Sequence, residues 1–221
     1  MKVLIAIHGS HSQPEHMQAQ RETWLADLQR ADYKYFLGAS PVSNDAVDEV
    51  VAPDDVIYLP SPDGPIWEGH RRTWHLNRKT EALVKYALDG DYDFVFKCDD
   101  DTYVPSTERL LFESGFEAHD YSGFTETHWA PDTGPYRWAQ GGAGYWLSRK
   151  SMEIIAEHGL HLVRAEDFAV GQLLAVHGIH PHHDVRYNPA ATEQDFRNQS
   201  QFFTLHKVSP TLMRNLHDNS R

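Results

Sequence analysis

The chain has 221 residues, 40% of them hydrophobic and 24% charged, with a formal net charge of −12. That length suits one globular domain with a full core, or at most two small ones. The acidic excess argues against a broad grip on nucleic acid, although it leaves room for a local basic groove, and a single cysteine, Cys98, excludes an intrachain disulfide.

In chain order, Lys2–His8 is an apolar run ending in Gly9-Ser10, a buried strand with a loop at its carboxyl end. Ser12-x-x-Glu15 has the pattern of a capping box, with Pro14 in the first turn. Met17, Trp24, Leu25 and Leu28 then repeat at helical spacing. Tyr33–Leu37 and Val56–Leu59 read as strands, joined by an acidic connector around Asn44–Asp55, and Ser61–Pro65 is a turn cluster. A helix is predicted from about Trp74 to Leu88, ended by Asp89-Gly90. Asp93–Cys98 is nearly all apolar, as suits a strand covered on both faces. Further on, Ser106–Phe116 reads as a helix and Tyr121–Thr125 as extended. Thr127–Arg137, rich in Pro, Trp and Gly, reads as a functional loop. Ser148–Gly159 and Glu166–His177 read as helices, and Phe202–His206 as a late apolar run. The strand–helix alternation of the first hundred residues predicts a parallel α/β sheet in one domain.

The opening Met1–Ile7 is short for a signal peptide, and no apolar stretch approaches membrane-spanning length. A cytoplasmic protein without a membrane partner is the expectation. The sequon Asn198-Gln-Ser200 is then idle. The pattern does not address the oligomeric state.

The central strand runs straight into Asp99, Asp100 and Asp101. Three adjacent carboxylates repel one another unless a cation offsets them. A hard divalent ion bound by oxygen does so and leaves positions for substrate phosphates. Alternation places Asp99 and Asp101 on one side, with Asp100 turned away or bonded to backbone. The competing reading is a solvated acidic turn.

Phe94–Val104 resembles the metal motif of the inverting β-1,3-glycosyltransferases of the Fringe and core-1 galactosyltransferase type. Arg21-Glu-Thr-Trp24, Gly141-Gly-Ala-Gly-Tyr-Trp-Leu-Ser148 and Glu166-Asp-Phe-Ala-Val-Gly171 resemble three further family segments, in the same order. The resemblance implies a GT-A fold: a mixed, mostly parallel central sheet flanked by helices. About 1–105 would be the nucleotide-sugar-binding half and about 106–221 the acceptor-binding half of one domain. It implies a UDP-sugar donor, Mn²⁺ or Mg²⁺, and transfer of a hexose or N-acetylhexosamine to an acceptor hydroxyl. It names neither sugar nor acceptor, and a glycan, a protein or a hydroxymethylated DNA base all remain open.

On this resemblance Asp167 is the general base; without it, Glu166 and Asp167 are equally ordinary first-turn acids. Glu166 would contact acceptor or sugar. His206, in Phe202-Phe-Thr-Leu-His206, would join Asp99 and Asp101 on the metal, and an imidazole ligand suits Mn²⁺ better than Mg²⁺. His8, Gly9 and Ser10 stand at the end of the first strand, where α/β sheets bind nucleotides. Arg21 is expected to face the same cleft. Arg71, Arg72, Arg78 and Lys79 form the main basic patch, and Lys79 matches a family lysine suited to the diphosphate. Gly141 and Gly142 would let backbone approach the donor beside Asp99 and Asp100. Trp129 and Trp138 are candidates to stack on acceptor sugars, as are Tyr145 and Trp146, with core packing as the alternative. His180–Asp184 lacks a clear four-ligand zinc set and reads as a polar acceptor-side loop. Two other function classes stay open, namely a non-catalytic nucleotide- or carbohydrate-binding module and a metal-dependent phosphoryl transferase or nuclease.

Overall fold

The computed structural model describes residues 1–39, 54–62, 65–68, 71–74, 76–130, 134–161 and 165–220. Most of the Asn44–Asp55 connector lies outside the described residues, as do the side chains of Arg71, Arg72 and Trp129.

The first half alternates as its apolar runs require: β1 (Val3–His8), α1 (Pro14–Glu22), β2 (Asp32–Ala39), β3 (Val56–Pro62), the hairpin β4 (Pro65–Glu68) and β5 (Arg71–Trp74), α2 (Leu76–Asp89) and β6 (Phe94–Asp99). The second half adds α3 (Thr107–Phe112), β7 (Tyr121–Gly123), the hairpin β8 (Thr125–Ala130) and β9 (Gly134–Ala139), β10 (Tyr145–Ser148), α4 (Arg149–His158) and α5 (Glu166–Val176). β11 (His182–His183), β12 (Tyr187–Asn188), α6 (Glu193–Arg197), β13 (Thr204–Leu205) and α7 (Pro210–Asp218) follow.

Seven strands form the central sheet in the order β11-β7-β10-β6-β1-β2-β3. β6, β1, β2 and β3 are parallel, and β10 runs antiparallel between β6 and β7. Side-chain alternation divides β1 between two cores. Val3, Ile5 and Ile7 face a cluster that includes Met17 of α1, Leu110 of α3 and Met213 of α7. Leu4 and Ala6 face Leu83 and Val84 of α2, Ile155 of α4 and Val170 of α5. Both faces of the sheet are therefore covered, which is why its central strands are continuously apolar.

The structure departs from the predicted elements in several places. The Ser12 capping box is not used: Gln13 is the N-cap, and no side chain caps the helix. α1 stops at Glu22, where Thr23 turns its hydroxyl back to the Ala19 carbonyl at 2.6 Å. Trp24 and Leu25 are buried all the same. The predicted loop Thr127–Arg137 is mostly the β8–β9 hairpin, whose alternating Thr, Trp and Tyr residues carry β-propensity despite the intervening Pro and Gly. The predicted His180–Asp184 loop contains the edge strand β11, paired with β7. No helix among the described residues is long and apolar enough to cross a membrane.

Candidate active site

β1 and β6 are in register, with His8 opposite Asp99, so both end at the same edge of the sheet. There the chain must turn, and the three carboxylates emerge together. Asp100 accepts the Ser10 N–H at 3.0 Å, which turns it away from its neighbours. Burial, then Asp99 and Asp101, push its carboxyl up to about 7. A cleft of about 230 Å³ opens over this edge, lined by His8, Gly9, Ser10, Leu76, Lys79 and Asp99–Asp101. Lys79 is buried and donates to the Gly9 carbonyl at 2.7 Å. His8 is also buried, and burial together with Lys97 and Lys79 disfavours its protonation.

The late apolar run is brought back to this edge by backbone pairing. Tyr103 and Leu205 exchange N–H···O bonds, both at 2.8 Å, and Val208 N–H donates to the Asp101 carbonyl at 3.0 Å. His206 is thereby set beside the triplet. Among the described residues, Asp99, Asp101 and His206 offer ligand atoms that all lie within 4.8 Å of one another. His206 Nδ1 lies 3.0 Å from the Pro189 carbonyl, and a carbonyl can only accept, so Nδ1 carries the proton. Nε2 is left facing Asp101 Oδ1 at 3.1 Å.

That oxygen is buried and makes no well-aligned hydrogen bond. Burial works against the imidazolium, but the Asp101 carboxylate outweighs it and raises the net proton affinity of His206. Two carboxylates, an oriented imidazole and a buried oxygen without a good donor fit a divalent cation.

The second acidic wall comes from α5. Its first turn presents Glu166 and Asp167, where the helix terminus favours negative charge. Glu166 is only 4% exposed. Its Oε1 accepts hydroxyl protons from Thr80 at 2.6 Å and from Tyr145, and its Oε2 lies 3.5 Å from Lys97 Nζ. Asp167 is half-buried, and its oxygens accept the N–H groups of Gly141 at 3.2 Å and Phe168 at 2.9 Å. Burial first, then Glu166, push its carboxyl up to about 6, against the opposing pull of the Gly141 N–H and Lys97.

Gly141 and Gly142 lie between the two walls. A Cβ on Gly141 would stand 3.0 Å from Glu166 Oε2 and 3.1 Å from Lys97 Nζ. One on Gly142 would stand 2.1 Å from His206 Cε1. The His206 ring cannot easily yield, because Pro189 holds its far side. Gly142→Ala is therefore expected to displace the imidazole from Asp101, and a cation held by this cluster would bind about 10-fold or more weakly, measured by calorimetry with Mn²⁺.

The structure thus brings His8, Gly9, Ser10, Lys79, Asp99, Asp100 and Asp101 to one cleft and sets His206 beside the triplet. The Gly141–Gly142 turn and Asp167 adjoin it. Other expectations need correction. Arg21 does not reach this cleft. Its guanidinium pairs with Asp55 at 2.7 and 3.1 Å and lies over Tyr35. Asp55 immediately precedes β3 and accepts with its carbonyl the Tyr35 N–H at 2.8 Å, so the Arg21 guanidinium is taken up on the β2–β3 side of the sheet.

Glu166 is a buried link between helix and sheet, not an exposed acceptor contact. Trp138 is 4% exposed, stacked on Phe168 at 4.0 Å and pressed against Gly171, so it has no open platform. Trp146 is a core residue stacked on Phe116. Arg78 pairs with Glu81 on an exposed helix face.

Lys97 is the residue that sequence reasoning overlooked. It is 2% exposed and donates to Asp99 Oδ1 at 2.8 Å and to the Gly141 carbonyl at 3.2 Å. Burial opposes its charge, but Asp99, Glu166 and Asp167 hold it firmly protonated. The available signal was a lone cation in an apolar strand two residues before Asp99, on the same face.

No protein-family model matches the chain, and no curated protein matches it. Solved structures do resemble it. A glycosyltransferase involved in the glycosylation of the major capsid of PBCV-1 has 11% identity and a TM-score of 0.51, covering 100% of this chain and 99% of that one. An active-site variant of LgtC has 11% identity and a TM-score of 0.49, covering 99% and 96%. The glycosyltransferase GlyE of Streptococcus pneumoniae TIGR4 has 12% identity and a TM-score of 0.48, covering all of this chain and 60% of GlyE. The first of these establishes likeness of fold: a GT-A-type mixed sheet flanked by helices, as the sequence motifs imply.

Proposed function

We propose that the chain is a metal-dependent, inverting glycosyltransferase that moves a hexose or N-acetylhexosamine from a UDP-sugar to an acceptor hydroxyl. One observation carries the reading. The ligand atoms of Asp99, Asp101 and His206 converge at a cleft on the carboxyl edge of the sheet, and Asp167 stands beyond the Gly141–Gly142 turn. Asp99, Asp101 and His206 would hold Mn²⁺ or Mg²⁺, which when bound supplies Lewis-acid neutralisation of a departing diphosphate.

The cleft residues supply the donor's seat. Gly9 and Ser10 place backbone beside the diphosphate, and Lys79 contributes a fixed cation behind it. Asp167 takes the proton of the acceptor hydroxyl. The hydroxyl oxygen forms its bond to the anomeric carbon from the face opposite the diphosphate. The old bond to the phosphate oxygen breaks, and its electron pair leaves with UDP. One attack from one face inverts the anomeric configuration. Gly141 N–H, bonded to Asp167 Oδ2, keeps the base oriented, leaving lone pairs free to receive the proton.

The expected result is UDP release from at least one UDP-sugar in the presence of Mn²⁺, abolished by chelation. Tight UDP binding without turnover, for every UDP-sugar tried with a panel of glycan, peptide and hydroxymethylated-DNA acceptors, would instead leave a binding module.

A further inference from the structure

Lys97 has no part in the chemistry set out above, yet it is a fully buried cation at the junction of both acidic walls. A charged lysine in a strand core is costly unless its protons are taken up. Here two partners lie on different elements, Asp99 on β6 at 2.8 Å and Glu166 on α5 at 3.5 Å, with the Gly141 carbonyl between them at 3.2 Å. Glu166 receives two hydroxyl protons on Oε1, from Thr80 and Tyr145, and so acts purely as an acceptor. It adjoins Asp167 in the chain.

We propose that Lys97 is a positioning residue: a single buried ammonium ties the Asp99 carboxylate to the Glu166 carboxylate across the Gly141 carbonyl, and so sets the base wall of the site against its metal wall. Two consequences follow. Asp99 Oδ1 is held by Lys97, which fixes the orientation of that carboxylate at the metal wall. Asp167 meets a like charge from Glu166 and an opposite charge from Lys97, and the lysine keeps it a carboxylate near neutral pH. The remaining groups facing Asp167 are the N–H groups of Gly141 and Phe168 and the phenols of Tyr121 and Tyr145, none of them charged at that pH. The role of Asp167 as base belongs to the glycosyltransferase reading, whereas the electrostatic tie does not depend on turnover.

The test is the titration of Asp167 in the intact protein without metal, followed by carbon-13 NMR on the carboxyl resonance that disappears in Asp167→Asn. Glu166→Gln removes the like charge and is expected to lower the midpoint. Lys97→Met is expected to raise it by at least about one pH unit, and Lys97→Arg, which keeps the charge, to hold it near the parent value. Lys97→Met leaves Glu166 unpaired and risks unfolding. The double variant Lys97→Met, Glu166→Gln leaves no such charge, and its midpoint should lie at least about one unit above that of Glu166→Gln alone. Equal midpoints in those two proteins would overturn the proposal, because a purely structural lysine would change stability without that shift. An inactive protein that still shows the shift would count against the transferase reading and leave the role of Lys97 standing.

Discussion

Asp167→Asn is expected to lower sugar transfer by about 10²–10⁴-fold while leaving UDP affinity unchanged. The argument rests on the place of Asp167. It stands at the first turn of α5, half-buried, with each oxygen taking one backbone N–H. An amide in the same place keeps the shape but has no basic oxygen for a proton. One of its two backbone contacts becomes donor against donor, so a loss of about 1–3 kcal/mol in stability should accompany the change. A melting curve separates that loss from the catalytic one. Full transfer activity in a folded Asp167→Asn protein would remove Asp167 from the role of base.

The same residue fixes a pH dependence. Its carboxyl is pushed up to about 6 by burial and by Glu166. A base works only when deprotonated, so kcat/KM should be full above that value and fall as pH drops through about 6. An ordinary exposed aspartate would hold its activity some two units lower. Retention of full activity well below pH 5 would contradict both the burial of this side chain and its function as base.

The sheet was legible because its signals are local. β1 and β6 are short apolar runs, and β6 leads directly into the acidic triplet. α2 and α5 have boundaries near those predicted, since Gly90 and Gly178 follow them closely. Asp100 is turned to backbone, as alternation requires. What was not legible depends on distances that run through space. Arg21 sits about two turns along α1; Gln20 beside it reaches the Asp99 carbonyl at 3.1 Å, but the Arg21 guanidinium turns to Asp55 and Tyr35 instead. A charge on a helix does not declare which neighbouring side chain takes it up.

Lys97 was hidden for a related reason. Alternation gives its face but not its partner, and Glu166 comes from a helix 69 residues later. Trp138 carried an aromatic signal with two meanings, and only the packing of β9 on α5 decides for burial. The β8–β9 hairpin was masked by its Pro and Gly content, which resembles a loop when the pairing partner is unknown.

His206 and Asp101 give the second large expected effect. The proposed ligand set joins two carboxylates to one imidazole held in a single tautomer by Pro189. Magnesium favours an all-oxygen octahedron and retains its waters, whereas an imidazole is a better partner for Mn²⁺. The parent protein should therefore bind Mn²⁺ more tightly than Mg²⁺. His206→Gln should weaken Mn²⁺ binding by about 100-fold or more, since even partners one step removed from a metal cost about 10–100-fold when lost.

Mg²⁺ binding should fall less, so the ratio of the two affinities narrows. Asp101→Asn removes a charged oxygen that both ions need, so it should weaken both. The two variants thus differ in pattern as well as size, and calorimetry with each ion in the absence of nucleotide reads the pattern directly. Parallel losses for both ions in His206→Gln would mean that the imidazole only props Asp101 in place. In that case the His206–Asp101 contact at 3.1 Å is an ion pair of the fold, and the metal seat shrinks to the two carboxylates.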